Sequence, residues 1–185
     1  MIIKIAGFTG SLRKDSYNKA ALRAAAELIP EGAELDLIDL ADIPFYNEDE
    51  ETKGLPPSVS SFREKLAAAD GVLIATPEYN YSIPPVLKNA LDWVSRGDDL
   101  PLYGKPAAIL SVSQGMLGGA RVQYHLRQVC VALNLLVLNK PEVFIGNAEE
   151  KFDEEGRLAD KRSRDMLQRL LKALVQRVRE QSQNM

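Results

Sequence analysis

Cysteine and histidine each occur once in the 185 residues, as Cys130 and His125. A single cysteine excludes an internal disulfide, and one of each excludes the usual zinc-binding set. Cysteine poverty suits a reducing compartment, so a cytoplasmic protein is expected. Positive charge is not in excess: 23 Lys and Arg against 26 Asp and Glu leave a net charge of -3. A nucleic-acid-binding face would need the opposite balance, so no nucleic-acid partner is expected. No apolar run approaches the ~20 residues of a membrane span. The opening MIIKIAGFTGS is too short for a signal sequence, and no membrane association is expected. What is present is an ordinary globular composition, 45% hydrophobic and 26% charged. The length suits one domain over 1–185.

Short apolar runs alternate with helical patterns. Strands are expected at Ile2–Phe8, Leu35–Leu40, Val72–Ala75 and Ala107–Val112, with Leu135–Leu138 and Val143–Ile145 as one interrupted strand. Leu35–Leu40 has acidic residues between its apolar ones, as on a sheet edge. Helices are expected at 17–29, around Val59–Ala69, around Leu87–Val94, around Val122–Leu133, and from Leu167 to Val178. The segment 44–57 reads as an acidic, proline-bounded loop, and Gln181–Met185 as a frayed end. The sum is a (βα)₅ chain: an open, five-stranded parallel sheet of order 2-1-3-4-5 with helices on both faces, a three-layer α/β sandwich. Ligands of such sheets bind beyond the carboxyl ends of the strands.

The loops at those ends are the unusual ones. After strand 1, Gly10-Ser11-Leu12-Arg13-Lys14-Asp15-Ser16-Tyr17-Asn18 offers hydroxyls, an amide, two cations and the positive end of a helix, as a phosphate monoester requires. Gly10 would let backbone N–H groups approach a ligand. Neither a Walker A loop nor a Gly-x-Gly-x-x-Gly fingerprint is present. The alternative is a plain βα turn capped by Ser16. After strand 3, Thr76-Pro77-Glu78-Tyr79-Asn80-Tyr81 sets tyrosine faces and hydrogen-bonding groups in a rigid turn, either a platform for a flat ring or a solvated turn. After strand 4, Ser113-Gln114-Gly115-Met116-Leu117-Gly118-Gly119 allows close backbone approach to a ring, or is simply a flexible turn.

Three stretches, GSLRKDSYN at 10–18, TPEYNYSIPPVLKNALDW at 76–93 and SQGMLGGARVQYHLRQV at 113–129, resemble the NADPH-dependent FMN reductase family, especially its chromate and quinone reductase branch. The resemblance runs from strand 1 to about residue 146. Pro85 stands where glycine is equally familiar and should stiffen the helix entrance. The resemblance implies a flavodoxin-like fold. It implies that Ser11, Arg13, Ser16 and Asn18 hold the FMN phosphate. Pro77, Glu78, Tyr79, Asn80 and Tyr81 would line the ribityl chain and ring, and Ser113, Gly115 and Gly118 would approach the ring's other side. It further implies hydride transfer from NADPH or NADH to FMN, then ping-pong delivery to quinones, free flavins or chromate. A homodimer or homotetramer would place Tyr81, Arg121, Tyr124 and Glu142 near the interface. No catalytic side chain is expected, because the flavin carries the chemistry. A flavodoxin-type electron carrier is the alternative, although such carriers are typically more acidic. A phosphate-binding module without redox activity would need only the first loop.

Cys130, His125 and Trp93 read as structural residues. Arg162, Arg164, Arg169, Arg177 and Arg179 read as a solvated helix face.

Overall fold

A computed structural model describes residues 2–183. Its elements are β1 (Ile3–Thr9), α1 (Tyr17–Leu28), β2 (Ala33–Ile38), α2 (Glu48–Glu51), α3 (Pro57–Ala68), β3 (Gly71–Thr76), α4 (Pro85–Val94), β4 (Pro106–Val112), α5 (Ala120–Ala132), β5 (Leu136–Val137), β6 (Val143–Ile145) and α6 (Lys161–Gln183). The sheet has the order β2-β1-β3-β4-β5 and is parallel throughout. The interrupted fifth strand is real. β5 pairs with the start of β4, from Pro106, and β6 pairs with its end, up to Val112.

The central strands bury both faces, which explains their unbroken apolar runs. Every residue of β3 and β4 is buried. One core packs α1 and α6 on the sheet, through Ala21, Ala25, Leu167, Leu171 and Leu174. The other packs α3, α4 and α5, through Phe62, Leu66, Leu87, Leu91 and Leu126. Phe8 meets Phe62 edge-to-face at 5.5 Å. Cys130 is fully buried in this second core, and burial pushes its thiol up to about 12. Trp93 is also fully buried, its Nε1 donating to the Pro44 carbonyl at 2.8 Å.

Three expectations need correction. The 44–57 segment is not all loop. Asn47 accepts from the Asp49 N–H at 3.0 Å and caps the one-turn helix α2. The last helix does not fray at Gln181, which stays helical and donates to the Gly104 carbonyl at 2.9 Å. Asn184 and Met185 lie outside the described residues. The arginines of α6 are not uniformly solvated either. Arg164 is half-buried, donates to the Leu158 carbonyl at 3.1 Å and reaches Glu27 on α1 at 3.4 Å. No helix among the described residues is long and apolar enough to cross a membrane.

Candidate functional site

Thr9, Thr76 and Val112 end β1, β3 and β4 at neighbouring register positions, so their loops share one rim. In the first loop, Ser11 and Ser16 are 4% and 3% exposed. Ser16 Oγ accepts from the Lys19 N–H at 3.3 Å, which caps α1 and leaves the hydroxyl hydrogen free to donate. No acidic residue occupies the first turn of α1, so its positive end is not neutralised there. Arg13 is exposed, with its guanidinium 5.2 Å from the Tyr17 ring centroid.

Two residues of this loop do other work than expected. Asn18 turns inward: its Nδ2 donates to the Val112 carbonyl at 3.0 Å, and its Oδ1 accepts the Val112 N–H at 3.1 Å. It joins α1 to the end of β4. Gly10 is small because of its neighbours. A Cβ there would lie 2.7 Å from Leu87 Cβ and 3.1 Å from Pro84, at the start of α4.

The second loop is a tight hairpin. Tyr79 and Ser82 exchange backbone hydrogen bonds of 3.1 and 2.9 Å. Asn80 and Tyr81 between them both have positive φ, 47° and 66°, the hand a two-residue hairpin requires. A tyrosine seldom adopts that conformation, at a cost of roughly 1–2 kcal/mol. The hairpin presents the Tyr79 and Tyr81 rings at 46% and 65% exposure, while Pro77 beneath them is buried.

Glu78 locks this hairpin to α5. The cap position of α5, Gly119, has no side chain. The Glu78 carboxylate, reaching across from the neighbouring loop, accepts the Val122 N–H at 3.0 Å in its stead. Arg121 lies 3.4 Å from the same carboxylate and stacks 4.1 Å from the Tyr81 ring centroid. His125, exposed on α5, has Nδ1 3.1 Å from Ser82 Oγ.

In the third loop, Ser113 Oγ donates to the Gly115 carbonyl at 3.1 Å, and Gly115 stays exposed. Gly118 is buried, with φ +60°. A Cβ there would meet the β6 backbone at 2.8 Å, so protein, not ligand, demands this glycine. The sequence pattern gave no sign of the buried pair beneath. Gln123 Nε2 donates to Ser111 Oγ and to the Val143 carbonyl, both at 2.9 Å, and Ser111 Oγ donates to the Gly118 carbonyl at 2.6 Å.

Of the residues expected near an interface, Tyr81 and Arg121 stack, and Tyr124 is exposed at 58%. Within one chain Glu142 pairs with Lys140 at 2.6 Å, and Arg121 pairs with Glu78.

A family model described as NADPH-dependent FMN reductase matches residues 3–150. The chain belongs to that family. This FMN reductase family member is 54% identical over 172 residues to an NAD(P)H-dependent FMN reductase of Pseudomonas aeruginosa, covering 93% of each. It is 43% identical over 183 residues to the quinone reductase of Escherichia coli, covering 96% of this chain and 97% of that one. A solved structure of FerB, a flavoenzyme NAD(P)H:(acceptor) oxidoreductase of Paracoccus denitrificans, superposes with a TM-score of 0.88 at 32% identity, covering 97% of this chain and 98% of that one. The family expected from the three loops and the flavodoxin-like sheet are both borne out, and the family makes the chain an oxidoreductase.

Proposed function

We propose that the chain binds FMN across this rim and uses NADPH or NADH to reduce quinones. The observation that carries the reading is the first loop: two buried serine hydroxyls at an un-neutralised helix N-terminus. That donor set fits the terminal phosphate of FMN. Ser11 and Ser16 would donate to the phosphate, Arg13 would swing in as its counter-charge, and Asn18 would hold the loop against β4.

Bound FMN supplies a ring that takes up hydride and gives it on, and the protein binds and orients that ring. Pro77, Glu78, Tyr79, Asn80 and Tyr81 supply the wall on one side, with Glu78 fixing that wall to α5. Ser113 and Gly115 face it from the third loop, and Gly118 holds that loop down on β6. NAD(P)H and the acceptor use the remaining open face in turn, in ping-pong order. The names of the curated relatives support a quinone as the acceptor. Chromate and free flavins would be further acceptors at the same face. Tyr81, Arg121, Tyr124 and Glu142 would meet a second copy in a homodimer or homotetramer, since the exposed tyrosines crowd one side of the rim. The protein would work in the cytoplasm as a single domain over 1–185.

The test is the visible spectrum of purified protein under anaerobic conditions, before and after NADPH, then after a benzoquinone. Flavin bands that bleach with NADPH and return with the quinone are expected. Bands that NADPH leaves untouched would indicate an electron carrier instead. Protein that stays colourless after incubation with FMN would overturn the reading.

A further inference from the structure

Between α1 and the end of β2 lies a hollow of about 260 Å3. Leu22, Leu37 and Ile38 give it apolar walls, and Lys19, Arg23 and Asp39 rim it. It is smaller than the ~300–1,000 Å3 pockets that take a whole drug-sized ligand, and suits half of a dinucleotide. Lys19 Nζ stands 3.8 Å from Asp39 Oδ2. Asp39 Oδ1 accepts the Ala41 N–H at 3.0 Å, which holds the carboxylate at the mouth. The Arg23 side chain is exposed.

The hollow lies beside the phosphate loop, with Thr9 before that loop and Lys19 after it both in its lining. Ser16, Lys19 and Arg23 are spaced three and four apart, so they follow one face of α1 over roughly 10 Å. Thr9, which ends β1 beneath the loop, also lines the hollow. The strand order β2-β1-β3-β4 places it on the far side of the phosphate loop from the Tyr79–Ser82 hairpin. A group in the hollow therefore extends from the phosphate end of a flavin, away from its ring. A carboxylate just past the second strand of a βαβ unit is also where a ribose diol is read.

We propose that this hollow takes the adenosine 5′-phosphate half of FAD, so that the chain accepts the flavin dinucleotide as well as the mononucleotide. The proposal rests on the FMN reading above. Leu22, Leu37 and Ile38 pack the adenine, Asp39 accepts from the ribose hydroxyls, and Lys19 and Arg23 hold the second phosphate.

The experiment titrates flavin-free protein and its Arg23→Glu variant with FMN, FAD and AMP, following flavin fluorescence. Arg23 is on the exposed face of α1, and a thermal melt checks that the variant folds. The variant should weaken FAD by about tenfold or more, the loss of a charge-assisted contact, and FMN by less than about twofold. AMP should lower the apparent affinity for FAD and leave that for FMN unchanged. FMN bound without FAD, or equal losses of both in Arg23→Glu, would overturn the proposal. A nicotinamide dinucleotide carries the same adenosine phosphate. If Arg23→Glu weakens NADP+ binding to the FMN-loaded protein and spares FAD, the hollow belongs to the co-substrate and the proposal fails. If neither flavin binds, the FMN reading itself falls.

Discussion

Replacing Asn18 by Ala tests whether this residue serves the fold or the ligand. The side chain makes two hydrogen bonds, of 3.0 and 3.1 Å, to the carbonyl and N–H of Val112. Val112 is 1% exposed, so water does not readily replace them. Stranding a buried polar group costs roughly 1–3 kcal/mol, and two are stranded, so about 3 kcal/mol is expected. For a chain of this size that lowers Tm by roughly 6–12 °C. Asn18→Asp keeps an acceptor for the Val112 N–H but sets a carboxylate against the Val112 carbonyl. It should be as damaging as Ala at neutral pH and recover in part under acid, when the carboxyl protonates. The assay is thermal and urea unfolding of flavin-free protein, with FMN titration of the same samples. An Asn18→Ala variant with unchanged Tm but weakened FMN binding would refute the reasoning and return Asn18 to the phosphate.

Glu78→Ala, which uncaps α5, should cost about 2 kcal/mol in urea unfolding, and Glu78→Gln about half as much, because an acceptor oxygen survives. In a double-mutant cycle with Arg121→Ala the coupling should stay below ~1 kcal/mol, since Arg121 is half-exposed; a larger value would mean the ion pair, not the cap, dominates. Cys130, its thiol raised to about 12 by burial, should resist a thiol reagent at pH 8 and react only as fast as the protein unfolds; rapid labelling in native buffer would contradict that burial. Asp160 accepts from the Ser163 hydroxyl at 2.7 Å and from its N–H at 2.8 Å, which caps α6 and holds the carboxyl below the usual range. Its stabilisation is present above the unfolded carboxyl value, ~3.9, and is lost as pH falls through the lower folded value; acid melts of Asp160→Asn should lack that loss, and identical pH profiles would count against it.

The fold was legible because burial wrote it twice: unbroken apolar runs for strands covered on both faces, and helical spacing for the elements covering them. Val72–Ala75 shows this: four consecutive apolar residues, all fully buried, suit a strand covered on both faces. The one-turn helix at Glu48–Glu51 was hidden by its acidity, although Asn47 followed by four acidic residues suits a capped first turn. At the site, residue types and their loops could be read, but not what each side chain would face. Asn18 in a polar loop looked like a ligand-binding amide, and only the 94-residue separation closed by folding reveals its partner, Val112. Gly10 and Gly118 carried the same ambiguity. A glycine signals that something comes close, and here that something is α4 or β6. Glu78, expected beside a ring, also caps α5 from another loop, a contact no local pattern encodes.

The divided last strand also bears on how copies of the chain can associate. A long bare strand at the border of a sheet invites a neighbour to continue the ladder. Here that border is split into pieces of two and three residues, with Lys140 and Pro141 between them. The opposite border, β2, exposes Glu34 and Asp36, so two such strands laid side by side would oppose like charges. The sheet thus resists growth at either end, which leaves the helices and rim loops as the surfaces a second copy could use.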